Sequence, residues 1–195
     1  MQELDADLFR FLNSLHTDWL DPIMVFSTKT HTWFPFYALL ILFLMFRFKA
    51  KSVSIVLCIT LLILLADQFA SSLMKPLFGR LRPCHVEDFA GWIHLPDGKA
   101  GGKFGFISSH AANTFALAAF MHRLLPEKNF FAFRVLLWIW AFVVSYSRIY
   151  VGVHYPGDVV FGGLSGVLWA FLVHRYVLPV FYGWQGFVQS KLSKN

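Results

Sequence analysis

Charge is scarce in this chain: Asp, Glu, Lys and Arg make up 14% of its 195 residues, where a soluble domain carries about 25%. Set beside 57% hydrophobic and 18% aromatic residues, that scarcity excludes a freely soluble globular domain and points to an integral membrane protein. Cysteine is almost missing too. Cys58 lies within an apolar run and Cys84 in a polar loop, so the two read as packing residues and not as a disulfide pair. The start, Met1-Gln2-Glu3-Leu4-Asp5, is acidic and lacks a basic region ahead of an apolar core, so no cleaved signal peptide is expected there. Repeats and low-complexity linkers are absent, and the length allows one domain. The formal net charge is +6, but the basic residues are scattered among apolar runs and form no continuous polar face. Nucleic acid is therefore excluded as a partner in favour of anionic lipid.

What is present is a succession of apolar helices. Leu4, Leu8, Phe11, Leu12 and Leu15 recur at helical spacing, with Asp5, Asp7, Arg10 and Asn13 opposite. Asp21-Pro22 reads as an N-cap with proline at the first helical position, opening a short helix expected to bury Ile23, Met24 and Phe26. Neither piece matches a span in length and apolarity, so residues 1–31 are placed flat at the membrane interface, with a short sixth span as the alternative. Five spans are expected within a transmembrane domain at 32–182: Thr32 to Phe48, Ser52 to Leu73, Ser109 to Leu125, Phe133 to Tyr146 and Gly157 to Tyr176. The fold class is thus all-α, a membrane helical bundle with an N-terminal amphipathic helix. Basic turns at Arg47, Lys49 and Lys51 and at Arg123 and Lys128 mark the cytoplasmic side, as would a tail at 183–195 carrying Lys191 and Lys194. By alternation, the segments Lys75 to Ser108 and Arg148 to Pro156 lie at the outer face of a plasma or inner membrane.

Three polar clusters then fall at the outer ends of the spans: Lys75 to Pro83, Ser108 to His110, and Arg148 to Asp158. One shared site is the economical reading. Lys75, Arg82 and Arg148 are cations suited to phosphate oxygens, at about 1.5 to 3 kcal/mol for each charge-assisted bond. Ser108, Ser109 and His110 open a span, where unpaired backbone N–H groups favour an anion. Asp158 lies four residues beyond His154, a spacing that lets a carboxylate hold one ring nitrogen and leave the other to attack. Two histidines beside a phosphate cradle suggest phosphoryl transfer.

The ordered set Lys75-x6-Arg82-Pro83, Ser108-Ser109-His110 and Ser147-Arg148-x5-His154-x3-Asp158 resembles the type 2 phosphatidic acid phosphatase superfamily of membrane lipid phosphatases, over about residues 67 to 176. The resemblance implies that His154 is the nucleophile forming a phosphohistidine, Asp158 its orienting partner and His110 the acid for the leaving oxygen. It implies that Lys75, Arg82, Ser108, Arg148 and the backbone N–H of Ser109 hold the phosphate, with neither metal nor cofactor. Ile107 and Ser109 stand where the family usually has proline and glycine, so a side chain occupies a position at which glycine lets the backbone approach the phosphate closely. Undecaprenyl diphosphate is the first substrate the resemblance offers, with phosphatidylglycerophosphate, phosphatidic acid and lipid A phosphates as rivals. A lipid phosphotransferase, or a lipid-binding protein without activity, would share these residues. Oligomeric state is not legible.

Other residues carry quieter readings. Asp67, two turns before Lys75, either backs the site near Lys75 or Arg82 or makes a structural hydrogen bond to Gln68 or a neighbouring helix. His85, Glu87, Asp88 and His94 fit no zinc spacing. The run Gly101 to Phe106 lacks the ending of a phosphate loop and reads as a flexible loop over the site, with Phe104 and Phe106 either touching the lipid chain or anchoring the loop. Gly162, Gly163 and Gly166 read as close helix packing.

Overall fold

The computed structural model describes residues 2–96, 98 and 101–192, so Lys194 of the expected tail lies outside the described residues. Among the described residues the regular structure is helical apart from one isolated antiparallel bridge, Leu81 to Phe104. Helix α1 is Gln2–Ser14, α2 Asp21–Thr28, α3 Phe34–Phe48 and α4 Ser52–Gln68; α5 Lys75–Phe78 continues α4 through a π-helical turn, Phe69–Met74. Then come α6 Ser109–Leu124, α7 Phe131–Tyr150, α8 Pro156–Leu172 and α9 Leu178–Leu192, the last continuing α8 through a second π-helical turn, Val173–Val177.

Three helical stretches are long and apolar enough to cross a membrane: Thr30–Phe78, Lys128–Tyr150 and Pro156–Gly186. The first is a hairpin, because α3 ends at Lys49, whose φ of 50° turns the chain back into α4. Apolar residues cover the outside of these helices as well as the inside. Phe46 is 77% exposed while Leu44 on the same helix is fully buried, the signature of a bundle whose outer solvent is lipid.

Helix α6 is the centre. Its alanine-rich face, Ala111, Ala112, Ala116 and Ala118, is fully buried, and its closest neighbour is α8. Their approach depends on glycine: a Cβ on Gly162 would lie 2.5 Å from the Ser108 carbonyl oxygen. The packing expected of the 162–166 glycines is therefore present, and it brings the start of α6 against the start of α8.

In the N-terminal segment the apolar stripe of α1 faces away from the bundle. Leu4, Leu8 and Phe11 of α1, and Leu15 just after it, point away from the protein, while Phe9 and Asn13 are buried against it. In lipid the apolar stripe has no reason to turn inward, and the polar face finds partners in the bundle. Asn13 donates to the carbonyls of His94, Ile149 and Tyr150. Asp21 is the first residue of α2 and not its cap, which is Leu20; its carboxylate instead accepts from the Tyr150 hydroxyl at 2.6 Å and meets His94 Nε2 at 2.8 Å. Of the three α2 residues expected inside, Met24 is buried, whereas Ile23 and Phe26 are exposed.

Candidate active site

His154 sits in the short connection between α7 and α8. Gly152 adopts φ of 75°, and the N–H groups of Val153 and His154 return to the Arg148 carbonyl at 3.1 and 3.2 Å. That tight exit places His154 two residues before Pro156, which starts α8 with its φ already helical. Asp158, fully buried, follows in the first turn. Its Oδ2 accepts from the Tyr155 N–H at 3.1 Å and lies 3.3 Å from His154 Nδ1. The pairing expected from a four-residue spacing is present, and Nε2 is the ring nitrogen the carboxylate does not engage. The ring is also held by the Gly105 backbone. Burial, with Arg148, Arg82 and Lys75 adding their charge, keeps the His154 pKa well below its ordinary 6.5. A neutral imidazole keeps the lone pair an attack requires.

In front of this ring lies a cavity of about 360 Å³ lined by Lys75, Arg82, Ser109, His110, Arg148 and His154, among others. Residues far apart in sequence meet there because four local devices aim them. The π-helical turn at Phe69–Met74 presents Lys75, which donates to Ser109 Oγ at 2.7 Å and Ser71 Oγ at 3.3 Å. Gly79, at φ of 57°, ends α5, and Arg82 then donates through Nε to the Phe104 carbonyl at 3.1 Å. The first turn of α6 carries Ser109 and His110. The last turn of α7 carries Arg148, whose Nη1 donates to Thr28 Oγ1 while its buried Nε has no hydrogen-bond partner among the described residues. Such a donor is costly to leave empty and would be satisfied by an anion bound in the cavity.

Ser108 is placed differently from its expected role. It is fully buried and caps α6, its Oγ accepting from the Ala111 N–H at 3.4 Å and its own N–H donating to the Asp158 carbonyl at 2.9 Å. It is not among the residues lining the cavity, because the N-cap position turns its side chain back along the helix. Ser109, the departure from glycine, does line it and adds a hydroxyl contact to Lys75. Asp67 also lines it and accepts from Asn113 Nδ2 at 3.2 Å, whereas Gln68 bonds Ser72 instead.

Two contributors, Thr28 and Asp5, escaped sequence reasoning, whereas Arg80 falls within the Lys75 to Pro83 cluster and Gly105 within the loop expected over the site. Thr28, at the end of α2, touches both Arg148 and, through its backbone, His110. Arg80 bonds Asp158 Oδ1 at 2.9 Å and Asp5 at 2.7 Å. Gly105 packs against Asp158, Arg82 and His154. The 101–106 loop is tied down, with Arg82 N–H donating to the Lys103 carbonyl at 3.1 Å and Gly105 N–H to the Arg80 carbonyl at 2.9 Å. Phe106 anchors it on Phe78 and Phe161, ring centroids 4.5 and 5.6 Å away.

Chemically, three cations, one neutral imidazole backed by a carboxylate and a second imidazole facing one small cavity can bind a phosphate and exchange its ester partner. Comparison with known proteins agrees. The PAP2 superfamily matches residues 56–182. A lipid A 4'-phosphatase of Bacteroides thetaiotaomicron is 39% identical over 181 residues, covering 90% of this chain and 79% of that protein. An undecaprenyl-diphosphatase of Sulfolobus acidocaldarius is 29% identical over 177 residues, covering 86% and 76%. The crystal structure of Aquifex aeolicus LpxE superposes with a TM-score of 0.65 at 28% identity, covering 89% of this chain and 96% of that one.

Proposed function

We propose that this chain, which belongs to the PAP2 superfamily and is a membrane lipid phosphatase, hydrolyses the 4'-phosphate ester of a lipid A-type glycolipid through a phosphohistidine. The observation that carries the chemistry is the convergence of Lys75, Arg82, Arg148, His110 and His154 on one cavity, with the Arg148 Nε unpartnered inside it. His154 Nε2 forms a bond to phosphorus as the bond from phosphorus to the sugar oxygen breaks, and His110 gives that oxygen its proton. His110, now neutral, takes a proton from water, whose oxygen bonds phosphorus as the P–N bond breaks and phosphate leaves. Lys75, Arg82 and Arg148 spread the charge of the transferring group, joined by the Ser109 N–H. Asp158 keeps the nucleophile's ring in place. Ser108 acts through the helix start it caps.

The lipid A reading rests on the 39% relative, which is closer than the 29% undecaprenyl-diphosphatase; undecaprenyl diphosphate, the first expectation from sequence, becomes the rival to test. An apolar cavity of about 520 Å³ between α3, α4 and α6 shares Thr30, Tyr37, Asp67 and Asn113 with the polar one. A lipid tail would run there while its phosphate meets the cations.

The membrane placement is part of the proposal: α3, α4, α6, α7 and α8 span, α1 and α2 lie at the interface on the site's side, and the site faces the periplasm or exterior of a plasma membrane. Two contacts support it. Arg47 pairs with Glu127 at 2.7 Å and Ser54 bonds Gln185 at 2.6 Å, so both basic turns and the middle of α9 gather at the end opposite the site.

The test is phosphate release by purified protein in detergent from lipid A, undecaprenyl diphosphate, phosphatidylglycerophosphate and phosphatidic acid, wild type against His154→Ala. Fastest release from lipid A with loss of the 4'-phosphate, absent in the variant, is expected. Faster release from another lipid overturns the substrate, and phosphate reappearing on a second lipid makes the protein a transferase.

A further inference from the structure

We propose that Asp5, on the amphipathic helix ahead of the first span, is a positioning residue for the reaction, holding Arg80 and the first turn of α8 so that Asp158 serves His154. The inference rests on the reading of His154 as nucleophile. Asp5 Oδ2 meets Arg80 Nη2 at 2.7 Å, and Arg80 Nη1 donates to Asp158 Oδ1 at 2.9 Å. The other Asp5 oxygen accepts the Gly157 N–H at 2.7 Å. Carboxylate, guanidinium and carboxylate thus form a chain that ends 3.3 Å from the His154 ring. Tyr155 supports it from one side, the Arg80 guanidinium lying 3.8 Å from its ring centroid.

The charge balance explains why a second carboxylate matters. Arg80 paired with Asp158 alone would neutralise the group that must stabilise positive charge growing on the imidazole as phosphorus is attacked. Shared with Asp5, the same guanidinium fixes the Asp158 rotamer while the three groups keep a net negative charge beside the ring. Asp5 also stands at the start of α8, where a carboxylate favours the unpaired N–H groups of the first turn. It is absent from the lining of the phosphate cavity, so its influence must pass through Arg80, Gly157 and Asp158. It also lies outside the region matched by the family, residues 56–182.

Removing the charge should leave α1 docked. Phe9 is fully buried against Phe89, Trp92 and Tyr155, and Asn13 makes its own three bonds to backbone carbonyls. The experiment measures kcat and KM for phosphate release from lipid A, with full-length protein in detergent, for Asp5→Asn, Asp5→Glu, Arg80→Gln and the double variant Asp5→Asn/Arg80→Gln. His154→Ala serves as the blank. Asp5→Asn is expected to lower kcat about tenfold with KM within about twofold, and Asp5→Glu to recover most of the loss. The double variant should be no worse than the poorer single one, because both substitutions break the same chain. Unchanged kcat in Asp5→Asn, a rise in KM alone, no recovery by glutamate, or losses that multiply in the double variant would each overturn the positioning role and leave the phosphatase reading standing. Phosphate release retained by His154→Ala would sink that reading, and this inference with it.

Discussion

Replacing Gly105 by alanine tests whether the 101–106 loop is a working wall of the site. The added Cβ would lie 3.0 Å from Asp158 Oδ2, 3.2 Å from Arg82 Cγ and 3.6 Å from His154 Nδ1. Ordinary contact begins near 3.4 Å, so the Asp158 oxygen must yield by about 0.4 Å. It has little freedom to do so, tied as it is to the Tyr155 N–H and, through Oδ1, to Arg80. The His154 contact at 3.3 Å is already near the outer limit of a hydrogen bond and is the one expected to lengthen. Overpacking of this size costs about 1 to 2 kcal/mol, a fall of roughly 3 to 6 °C in Tm for a chain of this length. Misplacing the ring by a fraction of an ångström should cost about 10- to 100-fold in kcat. Steady-state phosphate release and a melting curve in the same detergent read both, with Gly91→Ala as control because nothing lies within 4 Å of the Cβ it would add. A Gly105→Ala protein with wild-type kcat and Tm would refute the argument that the loop presses on the nucleophile's partner.

Four further outcomes are expected. Arg148→Ala should lower kcat/KM at least about 100-fold, as removal of one donor to a charged transition state does elsewhere; a change under threefold would show that the buried Nε is not a phosphate ligand. Gly162→Ala should destabilise the protein by about 1 to 3 kcal/mol through its clash with the Ser108 carbonyl, read as a lower Tm, and an unchanged Tm would mean that α6 and α8 are not so closely packed. Acid should unfold the protein in part through His154: its pKa lies well below 6.5 in the fold and near 6.5 in the unfolded chain, so below about pH 6.5 the unfolded state takes up a proton the native state refuses and stability falls. His154→Asn should lose less Tm than wild type between pH 7.5 and 5.5, and equal losses would contradict this. Thr60→Trp, filling part of the apolar cavity, should raise KM for a long-chain lipid phosphate and leave a short-chain one unaffected; equal effects on both would remove the tail from that cavity.

How much of this was legible beforehand depended on the distance over which each residue acts. His154 and Asp158 are one helical turn apart, so their pairing follows from spacing once Pro156 starts a helix. Lys75, Arg82, Ser109, His110 and Arg148 could be gathered because each marks an outer helix end, and alternation of spans brings such ends together. Asp5 reaches the same place only through tertiary packing of α1, which no local period encodes. The α1 stripe is periodic in the sequence, and an interfacial placement sets its direction: with lipid outside, Leu4 and Leu8 face out while Asp5 and Asn13 find the protein. Ser108 shows the converse, a residue whose type fits a phosphate ligand and whose N-cap position turns it away. The loop at 101–106, rich in glycine, looked mobile because glycine permits motion. Here the missing side chains at 101 and 105 serve close approach to Arg82 and Asp158.

Discrimination among lipid phosphates has to arise beyond the residues that hold the phosphate. On the proposed reading, Lys75, Arg82 and Arg148 would meet phosphate oxygens that every candidate substrate presents alike, and His154 would attack phosphorus in all of them. What differs among substrates is the group on the leaving oxygen and the chains behind it. Those would meet the parts of the cavity that carry no charge: Thr30, Trp33 and Tyr37 at its rim, and beyond Asp67 and Asn113 the apolar walls of α3 and α4. Polar residues at that junction are few, and the hydrogen bond between Asp67 and Asn113 uses one oxygen of the pair while the Asn113 Oδ1 is buried without a partner among the described residues. A buried acceptor is poorly matched to an alkyl chain and well matched to a hydroxyl or amide donor. On the proposed reading, a sugar head group would bring such donors to this junction, where a plain isoprenoid chain would bring none.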